Sequence, residues 1–245
     1  MTNVVEIAVQ DVAGVRIAQA AGADRVELCV ALAATGGLTP PIGLIEVAVA
    51  TGLPIHPLVR SRPGGFCYDG VELDVLVRDV RAAVRAGAAG VVVGALTPDW
   101  AVDVEAIRAL VDAAGGAGVT FHRALDVVAD ARGALDLLAE LGVTRVLTSG
   151  AAQAAIDGRA NLELLAAHAA STGGRVQVMA GGGVRVQDIG ALFGAGVDAV
   201  HLSARRAAPG AGASGPGGGP DGYDMTDESI VRAAVQAARS APASG

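Results

Sequence analysis

"AGADRVEL", residues 21–28, is the stretch on which the fold turns. Small helix-forming residues run into Gly22, a short polar pair follows, and a strand-like run begins at Arg25. The phrase returns as "AGAAGVVV" from Ala86, "ELGVTRVL" from Glu140 and "GAGVDAVHL" from Gly194. Glycine ends a helix in the left-handed conformation at the lowest cost. Each copy therefore reads as a junction from helix to strand, at the spacing of successive βα units.

Working outward from these junctions predicts eight strands, near 4–9, 24–29, 54–59, 89–94, 118–122, 144–148, 175–180 and 198–202. Amphipathic segments near 11–21, 41–51, 73–86, 103–114, 131–141, 160–171 and 185–195 separate them, and a last helix covers 227–239. In "DVEAIRALVDAA", Ile107, Leu110, Val111 and Ala114 make one apolar face, with Asp103 placed to cap it. Short apolar strands alternating with helices indicate a parallel sheet buried on both faces. Eight such units indicate an α/β chain folded as a single-domain (β/α)8 TIM barrel; an open doubly wound sheet is the alternative. Residues 207–222, "AAPGAGASGPGGGPDG", carry too little apolar surface to hold a shape and read as a mobile loop over the C-terminal face.

Composition narrows the function. The 245 residues are 52% hydrophobic, enough for a sizeable core, but only 2% aromatic. The formal charge is −7 with no basic tract, which argues against a nucleic-acid partner. There is neither a signal-peptide pattern nor an apolar run of about 18 residues, so no membrane span is expected. Two cysteines, Cys29 and Cys67, make no disulfide framework, and a cytoplasmic setting follows as the simplest reading. All 18 basic residues are arginine. Without lysine the chain has no Schiff-base nucleophile, so imine aldolases and pyridoxal-phosphate enzymes are excluded, as is the Gly-Lys-Ser/Thr nucleotide loop.

In this fold the working groups sit at the C-terminal ends of strands. His56, His122 and His201 fall on or at the ends of strands three, five and eight; only His168 lies on a helix. Glu6 and Glu27 interrupt strands one and two, while Arg60, Arg62 and Arg123 follow strands three and five. Ring closure would gather them at one mouth. There Glu6 and Glu27 would act as acid and base, and His56, His122 and His201 as proton carriers or polarising groups. The arginines would clamp an anion. Asp126, on the same rim, is a further catalytic candidate. The bland alternatives are hydrogen-bonded core histidines, carboxylates paired inside the barrel, and Asp126 as no more than the cap of the helix that follows. "MAGGGV" after strand seven and "HLSARR" after strand eight stand where this fold cradles phosphate, with Gly181, Gly182, Gly183 and Ser203 as candidates and Ser149 after strand six. Cys29 and Cys67 are expected near the same rim, where thiolates would suit Cu(I), with His56 or His201 assisting; their spacing matches no zinc signature, and packing is the alternative role.

The blocks "RVELCVALAATGGLTPPIG", "PIHPLVRSRPGGFCYD", "VTFHRALD", "RVLTSGAAQAAIDG", "MAGGGV" and "VHLSA", in this order, resemble the CutC family of copper homeostasis proteins, from the first strand to about Arg205. The resemblance implies a cytoplasmic TIM barrel, often a homo-oligomer (dimer or tetramer), associated with copper tolerance and Cu(I) binding. It matches Cys29 and Cys67 to cysteines proposed as copper ligands in relatives. The loop that usually reads Arg-Pro-Arg-Gly-Gly-Asp-Phe is here "RSRPGGF", without the acidic residue before Phe66, and residues 207–222 do not resemble the usual tail. The expectations are thus a Cu(I)-handling protein or, alternatively, an isomerase, epimerase or non-imine lyase for a small phosphorylated or carboxylated metabolite. A binding scaffold with a degenerate pocket is the third reading.

Overall fold

All four junction glycines are left-handed: Gly22, Gly87, Gly142 and Gly196 have φ between +83° and +94°. The computed structural model describes residues 3–208 and 222–242. Its elements run β1 (Val4–Val9), α1 (Val12–Ala20), β2 (Arg25–Leu28), α2 (Leu32–Thr35), α3 (Ile42–Val49), β3 (Ile55–Pro57), α4 (Gly70–Arg85) and β4 (Gly90–Val93). They continue with α5 (Val104–Ala114), β5 (Gly118–Phe121), a 3-10 turn (Arg123–Val127), α6 (Ala131–Glu140), β6 (Arg145–Thr148), α7 (Arg159–Ser171) and β7 (Gln177–Gly181). A second 3-10 turn (Val186–Asp188), α8 (Ile189–Gly194), β8 (Ala199–Leu202), β9 (Arg205–Ala207), β10 (Asp224–Thr226) and α9 (Glu228–Ser240) complete the chain.

The first eight strands form one parallel sheet in the order β3-β2-β1-β8-β7-β6-β5-β4. A parallel bridge between Leu58 and Val92 joins its two ends, with Val59 N–H donating to the Val92 carbonyl at 2.8 Å and Ala89 N–H to that of Ile55 at 3.0 Å. The sheet therefore closes into the expected (β/α)8 barrel. Aspartates cap the helices that face solvent: Asp103 accepts the Ala106 N–H, Asp130 that of Gly133, and Asp69 those of Val71 and Glu72.

Period two along each strand sorts the side chains. Val5, Ile7, Val26, Leu28, Ile55, Val91, Val93, Val119, Phe121, Val146, Val178 and Val200 pack outward in one core with the helices. The inward positions are different. Val4, Leu147, Met179 and Ala199 make one small apolar cluster, and Cys29, Leu58, Val92 and Leu32 another. Between them the barrel holds Glu6, Arg25, Glu27, His56, Thr120, Arg145 and His201, most of them buried.

Several local readings are corrected. α4 starts at Gly70 rather than 73, because Asp69 and Glu72 form a reciprocal capping box. The helix expected over 185–195 begins as a 3-10 turn. Asp126 caps no helix; Asp130 caps α6, and Asp126 lies inside the turn before it. Most of the loop expected at 207–222 lies outside the described residues. At its start, Ala207 belongs instead to β9, which pairs antiparallel with β10 and is tied by Arg205 to Asp224 at 2.6 Å.

Candidate functional site

A cleft of about 320 Å³ opens at the C-terminal ends of the strands. Glu27, His122, His201, Arg60, Arg123, Gly182, Gly183 and Ser203 line it, together with Phe66 and Arg205. Eight of the residues singled out in the sequence thus share one cavity. The others stand at its edges or away from it.

Glu6 lies directly beneath. Strand register sets it beside Arg25 on one flank and His201 on the other. Its Oε1 is 2.7 Å from His201 Nδ1, and its Oε2 accepts from Arg25 Nε. Arg25 also donates to Thr120 Oγ1 at 3.2 Å. Burial alone would raise the Glu6 pKa, but Arg25 and then His201 outweigh it, and the group stays well below the usual carboxylate range. Glu6 is therefore a fixed anion that orients His201 and leaves its Nε2 for the cleft. Burial lowers the His201 pKa, but Glu27 and the Glu6 hydrogen bond outweigh that and hold it above the ordinary value.

Glu27, one strand over, has no hydrogen bond or ion pair with the described residues and is 5% exposed. Burial pushes its pKa up to about 7, with the Glu6 charge adding to the rise and His201 opposing it. Glu6, Glu27 and His201 are also the one group of three among the described residues whose ligand atoms lie within 4.8 Å of one another.

His56 pairs in register with Glu27 but lies below the cleft. Its ring occupies the space that a Cβ on Gly90 would fill, at 2.5 Å from Nδ1. His122 rests in the same way on Gly94, where a Cβ would come within 2.2 Å of Cε1. Burial lowers both to about 3, with Arg25 contributing at His56 and Arg60 at His122.

Arg60 donates to the carbonyls of Thr35, Gly37 and Gly64, so it ties the loops after β2 and β3 together around the cleft. Arg123 is held by Asp126 at 2.7 Å and Ser149 Oγ at 3.0 Å, and its guanidinium lies over Gly182, where a Cβ would be 2.9 Å from Cζ. Asp126 and Ser149 thus aim Arg123 from behind. Gly181 does not line the cleft; its bare Cα leaves room for Leu147 and His201. Arg62 turns away to Glu72, which the α4 capping box brings within reach.

The cysteines are apart in environment. Cys29 is fully buried against Leu58 and Val92, and burial followed by the Glu27 charge raises its pKa above the usual thiol range. Cys67 is exposed in a separate depression beside Arg62, Phe66 and Trp100. Among the described residues, no group of three metal-binding side chains includes either one.

Sequence reasoning missed Arg25, Gly90, Gly94 and Phe66. Arg25 was legible, since period two from Glu27 points it inward. The glycines were not, because their partners come from neighbouring strands.

Residues 3–206 match the CutC family. The chain is 45% identical to a CutC family protein of Caulobacter vibrioides over 207 residues, 84% of this chain and 83% of that one. It is equally identical to one from Xanthomonas campestris pv. campestris over 202 residues, 82% of each. Among solved structures, CutC of Streptococcus agalactiae, named for copper homeostasis, superposes with a TM-score of 0.76 at 31% identity, covering 82% of this chain and 99% of that one. A barrel with this cleft, matched over these lengths, belongs to the CutC family.

Proposed function

We propose that this chain is an acid–base enzyme for a small phosphorylated or carboxylated metabolite, catalysing an isomerisation, an epimerisation or a lyase step without an imine. One observation carries the reading: Glu27 is buried without a hydrogen-bond or ion-pair partner among the described residues and faces the cleft beside His201, where burial pushes its pKa up to about 7. Burying an unpaired carboxyl costs stability, and such groups are kept where they move protons near pH 7. Glu27 takes the proton, and His201, charged and oriented by Glu6, supplies one. Arg60 and Arg123 attract the anion. His56 packs beneath the acid–base pair, and Asp126 and Ser149 hold Arg123. The test is a thermal-shift panel of sugar phosphates, oxo acids and hydroxy acids, followed by turnover of each hit. At least one hit should react, and Glu27→Gln should slow it by about 100-fold or more. A wild-type protein that no member of the panel stabilises would overturn the proposal.

A second reading, copper handling in a reduced cytosol, is favoured by the name of the Streptococcus agalactiae relative. The cysteines fit it poorly: one thiol is kept protonated in an apolar cluster, and the other faces a different depression. The donors that converge are oxygen and nitrogen, which suit harder ions than Cu(I). Anaerobic Cu(I) titration separates the readings. Near-stoichiometric binding that the Cys29→Ser, Cys67→Ser variant loses supports copper; unchanged binding in that variant removes the cysteines from it.

A further inference from the structure

Two buried donors beside Phe66 have no acceptor among the described residues: His122 Nε2 and Arg60 Nε. His122 Nδ1 accepts the Ala124 N–H at 3.1 Å, which assigns the ring proton to Nε2. Arg60 is 7% exposed; it donates to three backbone carbonyls, the buried Tyr68 hydroxyl lies near its guanidinium, and among the described residues it forms no ion pair with a carboxylate. The Phe66 ring lies 4.6 Å from the His122 ring and 5.3 Å from Arg60 Cζ, so both donors belong to one wall of the cleft. Unpaired donors at that depth cost stability unless a ligand completes them. Burial and the Arg60 charge keep His122 neutral through the working pH range. A neutral imidazole N–H polarises a carbonyl without giving up its proton.

Strand order places this wall, just after β3 and β5, across the ring from Gly182, Gly183 and Ser203, which follow β7 and β8. Glu27 stands on β2, next to β3, and His201 on β8. The cleft therefore offers an anion cradle on one side, carbonyl donors on the other, and acid–base groups at the same mouth.

We infer that the substrate is a short phosphorylated carbonyl compound whose carbonyl oxygen docks on His122 Nε2–H and Arg60 Nε–H while Arg123, Gly182 and Gly183 take its phosphate. The inference rests on the acid–base reading above and gives it a substrate class. Glu27 removes a proton from the carbon next to the carbonyl. The C–H pair becomes a C=C bond, and the carbonyl π pair moves onto oxygen, where the two donors hold the enolate, an enediolate when that carbon bears a hydroxyl. The His201 imidazolium then returns a proton to the same carbon and inverts it, or the Glu27 carboxyl returns its proton to the former carbonyl carbon while the hydroxyl proton crosses between the two oxygens; either way no oxidant or co-reactant is needed. Phe66 packs beside both donors and lines the same cleft.

The experiment is calorimetric binding of 2-phosphoglycolate, glycerol 3-phosphate and inorganic phosphate to the wild type and to His122→Phe. The carboxylate of 2-phosphoglycolate stands in for the enediolate; glycerol 3-phosphate has no such group. The wild type should prefer 2-phosphoglycolate over glycerol 3-phosphate by about tenfold or more. In His122→Phe the preference should vanish while phosphate affinity is kept. A preference absent from the wild type, or surviving in the variant, overturns the inference and leaves the acid–base reading standing. Binding of none of the three overturns the phosphorylated class and leaves that reading to its oxo-acid panel. Nitrogen-15 spectra of wild-type His122 give a readout independent of the variant's folding. The proton should stay on Nε2 from pH 5 to 8 (about two units above the titration expected from the burial) and its signal should move with 2-phosphoglycolate only. A ring that titrates in that range, or carries its proton on Nδ1, refutes the assignment.

Discussion

His201 Nδ1 lies 2.7 Å from Glu6 Oε1, while the second Glu6 oxygen takes the Arg25 guanidinium. The carboxylate has no exposed surface, so its charge is balanced entirely by these two neighbours. The arrangement makes Glu6 a positioning residue. It fixes which His201 nitrogen faces the cleft, and its charge disfavours the ionisation of nearby Glu27.

Glu6→Gln tests that role. Removing one partner of a buried pair leaves Arg25 uncompensated, so urea unfolding should show a loss of about 3–5 kcal/mol. The His201 pKa should fall, because the Glu6 hydrogen bond and charge both raise it. The Glu27 pKa should fall too, since Glu6 raises it. An NMR titration in which neither group moves would refute the coupling.

Glu27 should cost stability as the pH rises. Its folded pKa of about 7 lies above the ordinary glutamate value of 4.5, so the folded state binds the proton more tightly. Folding is therefore favoured by protonation below about 4.5, and this contribution is lost as the pH climbs through 7. The difference corresponds to roughly 3 kcal/mol. Glu27→Gln should melt higher than the wild type at pH 8 and lose that advantage near pH 4.5. A melting difference that is independent of pH would refute the assignment.

The barrel was legible because its signals are local. A glycine such as Gly22, left-handed at the end of a helix and followed by an apolar run, marks the junction from helix to strand without reference to distant residues. The mouth was legible in part for the same reason, as Glu27, His122 and His201 stand at strand ends. What a side chain does there depends on residues far away in sequence. Arg62 was read as an anion clamp, yet Glu72 claims it through a capping interaction ten positions on. Cys67 follows Phe66 directly, yet Phe66 faces the cleft while Cys67 does not line it. The β9–β10 hairpin was hidden because three-residue strands flanking a Gly/Pro-rich stretch carry no periodic pattern.

Gly94 is needed for His122. A methyl group there would overlap Cε1 at 2.2 Å and Nδ1 at 2.4 Å. Gly94→Ala should displace the ring, break its bond from Ala124 N–H and cost about 1–3 kcal/mol. Gly43→Ala is the control. It lies in α3 with nothing within 4 Å of the new Cβ, and should stabilise the chain by about 0.5–1 kcal/mol. Paired melting curves of the two variants check this, and a Gly94→Ala protein as stable as the wild type would show that the ring does not depend on that glycine.

Asp126 should matter through Arg123 rather than through a proton. Its two oxygens accept from Arg123 Nε, Thr148 Oγ1, the Ser149 N–H and hydroxyl, and the Ala151 N–H. One carboxylate thus joins the turn after β5 to the loop after β6 and aims Arg123 over Gly182. Asp126→Asn keeps the shape but turns an amide donor toward groups that are themselves donors, so at least one is left unpaired. Stability should fall by about 1–3 kcal/mol. Affinity for inorganic phosphate should fall as well, because Arg123 loses its fixed direction. Arg78→Gln is the comparison: its ion pair with Asp74 is exposed on α4, and its loss should change stability by no more than about 0.5 kcal/mol. If calorimetry finds the two variants binding phosphate alike, Asp126 does not position the cation, and Arg123 reaches the cleft without it.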